Sequence, residues 1–122
     1  MAVKVVDASA VAALLFCELE ASRIADELGD STLAAPVLLE YEVGNTCWKK
    51  CRRYPDAAPS FVQALGLMGN LALTLHDVDP PGVLAIATGR GVTFYDASYL
   101  WLAETLGAPL VSLDGRLLAA RR

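Results

Sequence analysis

Histidine is almost missing from this chain. His76 is the only one among 122 residues, and it reads as a strand-end or surface residue rather than a catalyst. A general base of the usual imidazole kind is therefore not expected. Cysteine is scarce and odd in number: Cys17, Cys47 and Cys51. With no export signal, three thiols read as buried groups in a reducing, cytoplasmic compartment, not as a disulfide framework. Cys47 and Cys51 lie one helical turn apart, but with His76 as the only third ligand they do not indicate zinc. No apolar run nears the roughly 18 residues that a bilayer span requires. The longest strongly apolar stretch is residues 11–16, and Lys4 and Asp7 interrupt the N-terminus where a signal peptide would be apolar. Neither a GxxxxGKS/T loop nor GxGxxG occurs, so nucleotide cofactors are not indicated. An excess of positive charge is missing too. The net charge of −4 argues against non-specific coating of DNA.

What the chain does have is apolar residues, 55% of the total, in short runs. At this length they suffice for one domain, residues 1–122, burying about two thirds of its unfolded surface. Residues 3–6 form a β-branched apolar run closed by Asp7, the pattern of a buried strand. A helix to about residue 16 follows, then a second over about 18–28 that stops at Gly29, then a short strand at 33–35. Pro36 opens a long helix to about Arg53, proline being favoured in a first turn. A turn at 54–56 leads to a helix over about 59–68, and residues 71–76 alternate as a third strand. Asp79-Pro80 caps a short helix, 83–88, closed by Gly89. Asp96 caps a helix to about residue 106, which Gly107 and Pro109 stop. Residues 110–113 are the last strand, and 116–121 the last helix. Strands alternating with helices predict a doubly wound α/β domain with a parallel sheet.

In such sheets the working site lies outside the carboxyl ends of the strands. Asp7 ends the first strand and Asp114 follows the last. Between Asp96 and Asp114, a helix of about eleven residues climbs roughly 16 Å and a strand of about five returns roughly the same distance. Right-handed crossovers then bring all three acids to one edge. Each acid also has a plainer reading. Asp7 suits a helix N-cap. Glu40 and Glu42 near the start of the long helix, with Lys49, Lys50, Arg52 and Arg53 near its end, suit the helix dipole. Glu42 is flanked by Leu38, Leu39 and Val43, so a solvated face explains it less well than Glu40, and Asn45 shares its face.

Carboxylates gathered with Ser9, Asn45 and Ser112 are hard oxygen donors, suited to Mg²⁺ or Mn²⁺ rather than zinc. Like charges so close would raise one or more of their pKa values in the absence of an ion. With no histidine among them, the chemistry indicated is metal-dependent hydrolysis of a phosphodiester.

VVDASA at 5–10, YEVGN at 41–45 and YDASYLWLAETLGAPLVSLD at 95–114 together resemble PIN-domain ribonucleases of the VapC toxin type. The resemblance runs over nearly the whole chain and rests on the order and spacing of these short motifs. It implies a three-layer α/β/α domain with a central parallel sheet of four or five short strands. It implies four acids binding Mg²⁺ or Mn²⁺, which correspond here to Asp7, Glu42, Asp96 and Asp114, with Ser9, Asn45 and Ser112 as polar companions. It further implies RNA as substrate, a homodimer, and a VapB-like antitoxin whose C-terminal segment occupies the active-site groove. Apolar surface on the helices over 18–28 and 36–53 is where a dimer is expected. Many such relatives continue past the last acid through a helix into a final strand, whereas this chain ends at Arg122. Arg116 is either a phosphate contact or a solvated helix start, and Lys49 and Lys50 are either RNA contacts or an exposed helix end. Two other readings compete: a PIN-type nuclease that is not a toxin, and a non-catalytic metal-binding partner module. A phosphatase of the DxD type would need an acid at position 9. A phosphoacceptor receiver would need a lysine after a late strand, and the only lysines are Lys4, Lys49 and Lys50.

Overall fold

Val5 and Val6 have no solvent exposure, and the strand that carries them is the axis of the sheet. In a computed structural model that describes residues 2–122, β1 (Val3–Val6) pairs on one side with β2 (Thr32–Pro36) and on the other with β4 (Leu110–Val111). β3 (Leu73–His76) pairs with the far side of β2. All pairings are parallel, in the order β3-β2-β1-β4. The sheet therefore has four strands, the lower of the two numbers expected. The helices in chain order are α1 (Ala8–Leu15), α2 (Ala21–Leu28), α3 (Leu38–Arg53), α4 (Ala58–Gly66), α5 (Pro80–Arg90), α6 (Phe94–Leu106) and α7 (Gly115–Ala119). They cover both faces of the sheet, as parallel strands require. Ala10 and Val11 of α1, Leu39 and Val43 of α3, and Tyr99, Leu100 and Leu102 of α6 fill the core with Val5 and Val6 of β1.

Several boundaries differ from the sequence reading, for local reasons. Pro36 ends β2 instead of opening α3. Along β2 the Thr32 N–H bonds the Ala2 carbonyl on the β1 side, while those of Leu33 and Val37 bond Ala72 and His76 carbonyls on the β3 side. By that alternation the N–H that Pro36 lacks would face β1, where pairing has already ended at Ala34, so the proline leaves no gap in the ladder. Gly89 lies inside α5, which runs to Arg90 and closes on Gly91 at φ +67°. Only the second glycine takes the left-handed turn that ends a helix. Asp96 does not cap α6. Thr93 does, its hydroxyl accepting the Asp96 N–H at 3.0 Å. Cys47 alone of the three cysteines is buried; Cys51 is half-buried and Cys17 is exposed at φ +51°. Within residues 18–28, Ile24 and Leu28 of α2 face the core while Leu19, just before α2, is exposed, as are Tyr41 and Trp48 of α3.

Two ties hold the late helices. The Arg90 guanidinium meets Glu104 of α6 with two nitrogens at 2.5 and 2.8 Å and also donates to the Ala120 carbonyl at 3.2 Å, just beyond α7. Gly82 of α5 lets that helix approach Trp101 of α6. A Cβ on Gly82 would stand 2.8 Å from Trp101 Nε1 and 2.9 Å from Asp79 Oδ2, the oxygen that caps α5. An indole ring cannot fold away as a long aliphatic tip would. Gly82→Ala is therefore expected to destabilise the fold by about 1–3 kcal/mol through overpacking, read as a lower thermal midpoint by circular dichroism. An unchanged midpoint would mean that α5 moves without penalty.

Candidate active site

Asp7 follows β1 directly, and its backbone N–H bonds the Val111 carbonyl at 3.3 Å, so it sits beside the end of β4. Its side chain turns back to cap α1, Oδ1 accepting the Ala10 N–H at 3.1 Å. Capping uses little of its acceptor capacity. The Ser9 hydroxyl donates to Oδ1 at 2.7 Å and the Ser112 hydroxyl to Oδ2 at 2.6 Å. Those two hydroxyls then accept from the chain after β4: Ser9 Oγ takes the Leu113 N–H and Ser112 Oγ the Asp114 N–H, both at 2.9 Å. Asp114 in turn caps α7, its Oδ1 accepting the N–H groups of Arg116 at 2.9 Å and Leu117 at 3.3 Å. One hydrogen-bonded network thus joins the ends of β1 and β4. In both Asp7 and Asp114 the helix-cap role coexists with carboxylate oxygen left over.

Asp7 is only 5% exposed. Burial pushes its carboxyl above the ordinary value; the hydrogen bonds from Ser112, Ser9 and Ala10 pull the other way, and the charge of Asp114 adds to the rise. Asp96, in the first turn of α6, is raised by burial and then by Asp114, with partial relief from Arg116 and a further push from Asp7. Glu42, on the second turn of α3, is raised by burial, eased by a hydrogen bond from Tyr99, and raised again by Asp96 and Asp7. The four acids therefore share one electrostatic neighbourhood at the carboxyl edge of the sheet.

Two contributors escaped the sequence reading. The Tyr99 hydroxyl donates to Glu42 Oε1 at 2.5 Å, and burial with the Glu42 charge holds the phenol in its neutral, donating form. Tyr99 stands three residues after Asp96 on the same helix, a spacing that puts both on one face. That spacing was the available signal. Thr93 orients the first turn that carries Asp96, a Ser/Thr cap three residues before an acid.

Other expected residues are less engaged. Asn45 is exposed one turn beyond Glu42. Lys49 is exposed as well. Lys50 points elsewhere, 3.5 Å from Glu18 and above the rings of Phe16 and Phe61. Arg116 is exposed and lines a cleft of about 300 Å³ with Asp96, Val92 and Ala119.

The donor set is all oxygen, and its negative charge, relieved only in part by Arg116, suits a divalent cation. Among the described residues no three acids stand close enough to form a closed ligand cluster. That spacing does not fit a dehydrated cage of protein ligands; an ion held there would keep several of its waters.

The chain is similar to known proteins. The profile described as PIN domain matches residues 4–122. Exonuclease VapC9 of Pyrobaculum aerophilum is 43% identical over 89 residues, which cover 71% of this chain and 65% of that protein, just under two thirds of its length. Ribonuclease VapC3 of the same organism is 38% identical over 124 residues, covering 93% of this chain and 90% of that protein. The crystal structure of PAE2754 from Pyrobaculum aerophilum superposes with a TM-score of 0.69 at 34% identity, covering 100% of this chain and 89% of its own.

The raised carboxyls carry a pH consequence. Asp7 and Glu42 titrate in the fold above their ordinary values of 3.8 and 4.5, so the native state binds those protons more tightly than the unfolded chain. Their contribution to stability is complete below the ordinary values and is lost as pH rises through the folded ones. In the presence of a chelator, the thermal midpoint should fall as pH climbs from about 4.5 toward neutrality. Asp7→Asn keeps a capping oxygen, so it should raise the midpoint at neutral pH and flatten that slope. A variant melting below the parent at neutral pH would contradict the charge argument.

Proposed function

The chain belongs to the PIN-domain family, and from that premise we propose that it is a Mg²⁺- or Mn²⁺-dependent endoribonuclease, the toxin of a toxin–antitoxin pair. The observation that carries the reading is the network through Asp7, Ser9, Ser112 and Asp114, with Asp96 and Glu42 held in the same field. The relatives named ribonuclease and exonuclease support phosphodiester hydrolysis as the reaction class.

Asp7, Asp96, Asp114 and Glu42 are the residues proposed to hold the ion. When bound, it supplies Lewis acidity at the scissile phosphate and lowers the pKa of the attacking water. Ser9 and Ser112 fix the direction of both Asp7 oxygens, and Tyr99 fixes one oxygen of Glu42, so the carboxylates are aimed before substrate arrives. Arg116, which shares a cleft with Asp96, is the side chain proposed to meet a phosphate oxygen. No side chain of the cluster is a histidine, so proton transfer from water falls to the carboxylates and solvent. A homodimer and a VapB-like antitoxin complete the proposal.

The name of one relative favours a second reading, in which cleavage proceeds from an RNA end. A circular RNA separates the two, because only an endonuclease opens it. With Mg²⁺ or Mn²⁺ the chain is expected to open the circle, and Asp96→Asn, whose cap comes from Thr93, should cut about a hundredfold more slowly or worse, the scale of several kcal/mol of lost charge stabilisation. Helix content should be unchanged. A variant as active as the parent would remove Asp96 from the site. Expression of the chain in a bacterial host should arrest growth and a co-expressed cognate antitoxin restore it; a host that grows normally would favour a non-toxin role.

A further inference from the structure

The α3 helix carries an exposed strip that the acid cluster does not use. At 100° per residue, Tyr41, Trp48 and Arg52 fall on the side opposite the buried Leu39, Val43 and Cys47. Lys49 and Arg53 fall beside them, in line with Glu42. Tyr41 is 73% and Trp48 53% exposed. The Arg52 guanidinium lies 4.9 Å from the centre of the Trp48 ring, and that of Arg53 lies 5.4 Å from the Tyr54 ring. Trp48, Lys49, Arg52 and Arg53 enclose a shallow hollow of about 320 Å³. None of Lys49, Arg52 and Arg53 makes an ion pair among the described residues, in contrast to Lys50, which is paired with Glu18.

A protein of net charge −4 that leaves three cations unpaired around an exposed indole presents the chemistry of a single-stranded nucleic acid: phosphates for the cations, base faces for the ring. The strip starts at Glu42 and ends about 16 Å further along the helix axis, at 1.5 Å per residue. We propose that this strip is a guide for the RNA strand leaving the acid cluster, with one base stacked on Trp48 and backbone phosphates met by Lys49, Arg52 and Arg53. The proposal rests on the ribonuclease reading and adds where the flanking nucleotides lie. The attraction is complementary at both ends. At the acid end a bound cation would offset the phosphate charge, and the basic end needs no ion.

The test uses the full chain carrying Asp96→Asn, so that RNA is bound without being cut. A fluorescein-labelled single-stranded RNA of mixed sequence is titrated at several salt concentrations with Mg²⁺ present, followed by anisotropy and by tryptophan emission. Emission should be quenched on binding, and Trp48→Phe should remove most of the quenching while Trp101 still emits. Adding Trp48→Ala should weaken binding about five- to a hundredfold, the range for one lost base stack. Arg52→Gln and Lys49→Gln should each lower the slope of log affinity against log salt by about 0.7, the single-strand value for one phosphate contact. All three side chains are exposed, and circular dichroism checks folding. If the Asp96→Asn chain binds RNA and these substitutions change neither affinity nor slope, the strip is not the guide, though the ribonuclease reading stands. If Trp48→Ala leaves RNA binding intact but lowers the molecular mass in solution, the face joins two copies of the chain and the proposal is overturned. If the Asp96→Asn chain fails to bind RNA and the unmodified chain fails to cut it, both readings fall together.

Discussion

The carboxylate of Asp7 is the constraint from which the rest follows. It is an acid in a nearly solvent-free position, at the end of a strand whose neighbours are valines. Such a group persists only when its oxygens are met by donors. Here they are met by two hydroxyls and one backbone N–H. Because one hydroxyl sits in α1 and the other just past β4, satisfying Asp7 also fixes where β4 stops and where Asp114 begins. The charge therefore organises the sheet edge while working against the stability of that edge, a strain typical of functional sites rather than structural ones.

The helix-cap and metal-site explanations of the acids are not rivals in this fold. A capping carboxylate gives an oxygen to one or two N–H groups and keeps lone pairs to spare. Asp7 and Asp114 both use the cap to choose a rotamer. Asp96 uses a different device, with Thr93 capping on its behalf, and Glu42 a third, the phenol of Tyr99. Four acids thus reach one neighbourhood by three kinds of local anchoring. Each anchor is uncharged, so the anchors themselves cancel none of the edge's negative charge.

Much of this was legible in sequence because strand ends and helix starts carry strong local signals. Asp7 after a β-branched run, Asp114 after a short apolar one, and the Gly-Ala-Pro break between helix and strand place those acids without any tertiary information. What escaped was set by pairing across the chain. Pro36 looked like a helix start, and only the sidedness of the β2 ladder makes it a strand end. Gly89 and Gly91 are the same residue type two positions apart, and backbone sign alone separates them. Lys50 looked like its neighbour Lys49 until two aromatic rings and a glutamate from elsewhere drew it aside. Tyr99 sat inside a motif already recognised, yet its partner is 57 positions away. Contacts of that range leave no periodic trace.

The tie made by Arg90 has a mechanical sequel. A five-residue helix such as α7 has too few internal bonds to hold its own shape, and left to itself it would swing about its first residue. Asp114 pins one end through its cap, and the guanidinium of Arg90 grips the carbonyl just past the other. The fourth acid consequently inherits its stiffness from an ion pair whose arginine lines the same cleft as Asp96 and Arg116. Loosening that clasp would blur the aim of Asp114 without touching any of the hydrogen bonds that Asp114 itself makes.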